Sequence, residues 1–225
     1  MIAQRISARN LLQETFAAMG SVYVPMLILN CPSLIFVLVK TFVNLSSATV
    51  ALNIIYWFCV VPFLSGAIIF YTYRSLTGNQ VTISESFKQA NKILLQLILV
   101  NIMYTLMLLT GLIVLIVPGF YITYRLIFGS YATVIDKTSA LDSISRSWEL
   151  TKGRWWLVFR STVLISFVAI LPIVLIALSI DITGKSPAVQ LVSSILGFLV
   201  GPLMGVYFVL LYLRLRESPA KIDIS

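Results

Sequence analysis

WWLVFRSTVLISFVAILPIVLIALSI, residues 155–180, contains one charged side chain, Arg160. A helix of about 20 mostly apolar residues crosses a hydrocarbon layer about 30 Å thick. A surface helix of a soluble protein would keep one face polar, and this stretch has no such face. It reads as a membrane span, and five more apolar runs follow the same pattern at 22–39, 48–73, 93–117, 120–135 and 191–213. The 225-residue chain is 59% hydrophobic and 11% charged, whereas a soluble domain carries about 25% charged residues. We expect an all-α polytopic membrane protein with six transmembrane helices, forming a single membrane domain over residues 1–225.

The polar segments between the runs order the spans. Residues 1–19 mix Arg5, Arg9, Gln13 and Glu14 with apolar side chains. They lack the uninterrupted apolar core of a signal peptide and read as an amphipathic helix on the membrane surface. Similar interfacial helices are expected over 82–92 and 138–152. The result is three repeated units, each an entry helix followed by a transmembrane hairpin. In the returning spans Pro62 precedes Arg74, and Pro202 precedes Arg214, by twelve residues. Pro118-Gly119 is expected to turn the third run into the fourth. Kinks are expected at Pro25 or Pro32 and at Pro172.

Positive charge orients the chain. Of its 16 Lys and Arg residues, twelve fall on the side that holds both termini, and only Lys40 and Lys185 fall on the other. The positive-inside rule then places both termini, and the tail 214–225, in the cytoplasm. We expect a bacterial inner-membrane location, with another internal bacterial membrane such as a thylakoid as the alternative. The net charge of +8 is read as topology and as attraction to anionic headgroups. A nucleic-acid partner would need a basic soluble surface, and none is expected.

Histidine is absent, which removes the commonest general base and metal ligand. No Cys, Asp or Glu cluster has metal-site spacing. No metal, cofactor or catalytic residue is therefore expected. Cys31 and Cys59 read as buried thiols that pack as small hydrophobes.

The strongest candidate for a polar site is Arg125, inside the fourth run. All eight acidic residues lie outside the runs, so its partners must be carbonyls, hydroxyls, amides, water or a lipid phosphate. A structural fastener is the first reading and a phosphate-bearing ligand the second, with Asn101, Asn30 and Tyr124 as companions. Lys152, Arg154, Trp155, Trp156 and Arg160 sit where cytoplasmic headgroups would be contacted. Gly197, Gly201 and Gly205 form a repeated GxxxG that permits close helix packing.

VPGFYITYRLIFGSYATVID at 117–136, with SALDSISRSWELTKGRWWLVF at 139–159, resembles the glycerophosphoryl diester phosphodiesterase membrane domain family. The matching residues include Pro118, Gly119, Tyr121, Arg125, Asp136, Ala140, Ser147, Lys152, Gly153, Arg154 and Trp156, and the loop Arg74-Ser75-Leu76-Thr77-Gly78 also fits. In family members that hydrolyse glycerophosphodiesters, a separate soluble domain performs the chemistry. The resemblance thus implies a membrane module without that activity. The expected function is a non-catalytic module that organises, assembles or regulates a membrane-protein partner. A transporter or lipid-handling role at Arg125 is the alternative, and an intramembrane enzyme ranks last.

Overall fold

The computed structural model describes residues 7–42, 48–114, 116–180 and 187–218. Among them there is no strand. The helices are α1 (Ala8–Phe42), α2 (Ala48–Ile55), α3 (Val61–Leu76), α4 (Ile83–Lys92), α5 (Leu94–Val114), α6 (Ile116–Leu126), α7 (Gly129–Tyr131), α8 (Ala140–Thr151), α9 (Trp155–Ile180) and α10 (Pro187–Glu217). Single π-helical turns occupy Tyr56–Val60 and Ala132–Asp136. Five helical stretches are long and apolar enough to cross a membrane: Ala8–Lys40, Val50–Leu76, Leu94–Ile113, Trp155–Ile180 and Ala188–Glu217. The protein is an all-helical membrane protein.

The expected surface helix over 1–19 and the span over 22–39 are one element where described, because α1 runs unbroken for 35 residues. Its antiparallel partner explains the continuity. Glu14 meets Arg214 at 2.9 Å, and a Cβ on Gly205 would lie 2.7 Å from Met26 Cε. A Cβ on Gly201 would lie 3.4 Å from Asn30 Nδ2. The register stays constant along α1 and α10, so packing supports α1 through the point where the sequence pattern changes. This pairing also brings the ends carrying Ala8 and Glu217 together.

Pro62 shapes the second span. A proline has no N–H to donate, and the chain widens into the π turn just before it. Val61 N–H bonds to Tyr56 C=O, five residues back. The Trp57 carbonyl is thereby released, and Asn101 Nδ2 donates to it at 3.1 Å. α5 is thus fastened to a point within this span where a backbone acceptor is free.

The expected turn at Pro118-Gly119 is displaced. Both residues lie inside α6, where a proline in the first helical turn loses no hydrogen bond. The chain reverses between Gly111 and Gly119, and a Cβ on Gly111 would lie 2.8 Å from Gly119 Cα. Farther along, a Cβ on Gly129 would lie 3.0 Å from Val100 Cγ1. The segment therefore stays antiparallel to α5, although it breaks between α6 and α7. The fourth run is an interrupted helix and is not among the five long apolar stretches.

The entry helices at α4 and α8 follow their capping signals. The Thr82 hydroxyl accepts the Glu85 N–H at 3.2 Å, and the Glu85 carboxylate accepts the Thr82 N–H at 2.8 Å. Ser139 caps α8 through the Asp142 N–H. Gly153, at φ +71°, follows the end of α8 in the left-handed conformation that glycine adopts without strain. Both cysteines are free, and Cys59 is exposed rather than buried.

Packing is uneven along the helices. Buried residues gather toward the end that holds Ala8 and Glu217: Leu11, Met26, Leu97, Phe128, Val158, Tyr207 and Tyr212 are all nearly inaccessible. By contrast, no residue is buried over 30–40 of α1, 101–110 of α5, 170–180 of α9 or 190–201 of α10.

Gly111 tests the hairpin. Gly111→Ala should lower stability by about 1–3 kcal/mol, because the new methyl meets backbone. Gly197→Ala, with nothing within 4 Å of its Cβ, should be neutral or stabilising through helix propensity. Thermal unfolding of both variants in one detergent checks the contrast.

Candidate functional site: the helix break at Arg125

α6 ends at Leu126, so its last carbonyls have no partner within the helix. In an apolar surrounding such groups cost several kcal/mol if left bare. α8 supplies the partners. Ser147 Oγ donates to the Arg125 carbonyl at 2.8 Å and accepts the Phe128 N–H at 3.2 Å. Thr151 Oγ1 lies 3.2 Å from the same Arg125 carbonyl and 2.8 Å from that of Ser147. One turn earlier, Ser143 Oγ accepts from Thr133 Oγ1 at 2.8 Å and lies 2.6 Å from Thr138 Oγ1.

Ser143, Ser147 and Thr151 recur every four residues and form a buried hydroxyl edge on α8. On the same helix the apolar Ala140, Ile144 and Leu150 are buried as well. Leu141 is instead 69% exposed. The S-x-x-x-S-x-x-x-T spacing was the available signal, but its partners lie on a separate segment.

The Arg125 side chain is 4% exposed. Its guanidinium carbon lies 4.1 Å from the Trp148 ring centroid and 5.7 Å from that of Tyr121. Such cation–π contacts are each worth about 0.5–2 kcal/mol. Among the described residues no carboxylate pairs with Arg125, and its buried Nε has no hydrogen-bond partner. The aromatic wall continues through Tyr121, Trp155, Tyr124 and Phe159, with neighbouring ring centroids 5.1–6.3 Å apart.

The four residues grouped around the expected polar site do not converge. Tyr124 borders the aromatic wall beside Arg125. Asn101 serves the π turn at Trp57, and Asn30 lies against α10 at Gly201. The expected headgroup residues also divide. Trp156 is 58% exposed, and Lys152 and Arg160 are exposed as well. Trp155 turns into the aromatic wall. Arg154 donates to the carbonyls of Leu215, at 3.1 Å, and Ser218. It therefore caps the end of α10, where a cation is favoured by the helix dipole. Of the three glycines, Gly201 and Gly205 serve the α1–α10 contact, and Gly197 faces open space.

A second polar centre escaped the sequence reading. The Asp136 carboxylate accepts from Tyr212 Oη at 2.7 Å, Arg216 Nη1 at 3.0 Å and Arg146 Nε at 3.4 Å. It ties the second π turn to α8 and to the end of α10. Lys137, at φ +56°, then turns the chain toward α8.

Residues 93–215 match the family model described as Domain of unknown function (DUF7847). The chain belongs to that family. The matched region contains Arg125, the hydroxyl edge of α8, Asp136 and most of α10, so the helix break and its hydroxyl partners lie within the shared segment. No curated protein and no solved structure matches the chain.

A buried cation with no anion differs energetically from one that holds a salt bridge. Replacing it with an apolar side chain of similar length removes a desolvation cost, whereas removing the ring beneath it leaves the charge uncovered. Arg125→Met should therefore be at least as stable as the wild type, and Trp148→Ala less stable by about 1–3 kcal/mol. Urea unfolding in mild detergent measures both.

Proposed function

We propose that the chain is a non-catalytic integral membrane module that organises, assembles or regulates a partner membrane protein or complex. The uneven packing carries this reading. A helix that merely faces lipid on one side still buries its other side against neighbours, yet over residues 170–180 of α9 no residue is buried, and Ile173 and Ala177 are half-buried at most. The adjoining stretches of α1 and α10 are mostly half-buried and likewise hold no buried residue. Gly197 adds a point of close approach on α10 that none of the described residues occupies. Partner helices would cover this less buried half of the molecule, while the packed half holds the module together.

Six crossings, with both termini in the cytoplasm of a bacterial inner membrane, belong to the same reading. The constant register of 119–129 against α5 supports a fourth crossing despite its break. The bonds from Asp136 to Tyr212 and Arg216 support its return to the end where α10 finishes. The three-unit plan is supported by α4 and α8, two capped entry helices that each precede a long apolar helix. The likeness to the glycerophosphoryl diester phosphodiesterase membrane domain supports a membrane module. Residues that carry it, including Tyr121, Arg125, Asp136, Ser147 and Arg154, make the interior contacts described above.

Lipid handling at Arg125 is the second reading, and the unpartnered Nε favours it. The 4% exposure of Arg125 and its rings favour a fastener instead.

Mild extraction followed by crosslinking and copurification should recover a stoichiometric membrane-protein partner. A solitary monomer in several detergents and in nanodiscs counts against the module reading. Topology has its own readout in a background of Cys31→Ala and Cys59→Ala. Asn79→Cys and Asp142→Cys should react with an impermeant maleimide from the same side of oriented proteoliposomes. Labelling from opposite sides would show that 116–136 does not cross.

A further inference from the structure

A cavity of about 310 Å³ lies between the end of α3, the following loop and α4. Arg74 stands in the last turn of α3. Gln80 enters from the loop, and Glu85, Lys88, Gln89 and Lys92 line the cavity from α4. The α4 residues fall at i, i+3, i+4 and i+7, which places them on one helical face. That helix is held against α3 by stacked Phe63 and Phe87 rings, 5.6 Å between centroids.

The charge in this cavity is unbalanced. Three cations face one carboxylate, and that carboxylate is committed to the Thr82 N–H at 2.8 Å. Thr82, through its backbone N–H first and its side chain second, holds the Glu85 carboxyl below the usual range, with Arg74 and Lys88 adding attraction. The ion pairs among the described residues draw their cations from Arg146 and Arg214 on one hand and Arg216 on the other. None uses Arg74, Lys88 or Lys92. Like charges converging on one concavity repel unless an anion sits between them. Two glutamine amides supply neutral donors for its oxygens. The cavity lies where one candidate span ends at Leu76 and the next begins at Leu94, the level at which phospholipid headgroups lie.

We infer that this cavity binds a phosphate group, carried by an anionic phospholipid or free in solution. The site is separate from Arg125 and does not depend on the partner-module reading. Its volume falls at the small end of ligand pockets, about 300–1,000 Å³, which suits a headgroup.

The test uses the delipidated full-length chain in dodecyl maltoside at low salt. Phosphatidylglycerol, phosphatidylcholine and inorganic phosphate are added separately, with thermal unfolding and lipid retention in native mass spectrometry as readouts. Phosphatidylglycerol should raise the melting temperature and stay bound, and phosphatidylcholine should do neither. Affinity should fall about fivefold for each cation removed in R74Q/K88Q/K92Q. R9Q/K40Q/K137Q, which removes the same charge elsewhere, should bind as the wild type does. Glu85→Gln keeps a side chain able to close the capping box and should tighten binding about fivefold. Should the triple variant fail to fold, Glu85→Gln and Lys88→Gln alone decide the matter. Protection by inorganic phosphate with no further effect of phosphatidylglycerol identifies a free anion as the occupant. Equal losses in the two triple variants, or no protection of the wild type by either phosphate source, would falsify the proposal.

Discussion

A helix that stops among apolar side chains exposes carbonyls that have no water to bond. The α6 helix stops in this way, and the structure around it follows from the need to satisfy those groups. Ser147 meets both sides of the break, as donor to Arg125 C=O and acceptor from Phe128 N–H. That arrangement holds α8 against the break, which in turn sets Trp148 under the Arg125 guanidinium. The same requirement operates at the π turn before Pro62, where the released Trp57 carbonyl is taken by Asn101. Both irregularities occur where a separate helix provides the missing partner, as the membrane interior demands.

The polar interior is thus divided by task. Hydroxyls close the helix break, aromatic rings cover Arg125, and Asp136 gathers Tyr212, Arg146 and Arg216. Each group joins segments far apart in the chain, so each holds the packed half together. None is arranged as an acid–base pair around an open space. Two other features stand apart from this interior: the less buried apolar ends of α1, α9 and α10, and the basic cavity beside α4. These are the parts with unmet valence, one apolar and one cationic. The occupants proposed for them differ, a protein partner within the membrane and a phosphate at its edge.

Much was legible in the residues because it depends on near neighbours. Hydropathy located the five long apolar helices. The polar, amphipathic stretches at 82–92 and 138–152 marked the places of α4 and α8. A span is a property of about twenty consecutive side chains. The absence of any acid near Arg125 in the apolar runs was also plain from the order of residues.

The tertiary structure decided what depends on distant partners. Whether 8–42 forms one helix rests on α10, nearly two hundred residues away, since Glu14 and Arg214 are separated by 200 positions. The fourth run looked like a simple span, but its break is stable only because α8 folds against it. Asp136 looked like a surface residue, yet it binds side chains 76 and 80 positions later. Arg154 and Trp155 looked like headgroup anchors, and the end of α10 and the aromatic wall drew them inward. The sequence by itself determined where helices lie in a membrane, because transfer of apolar side chains from water is a local sum. Only the tertiary structure decided which polar groups meet, because a hydrogen bond depends on where two segments are brought together in space.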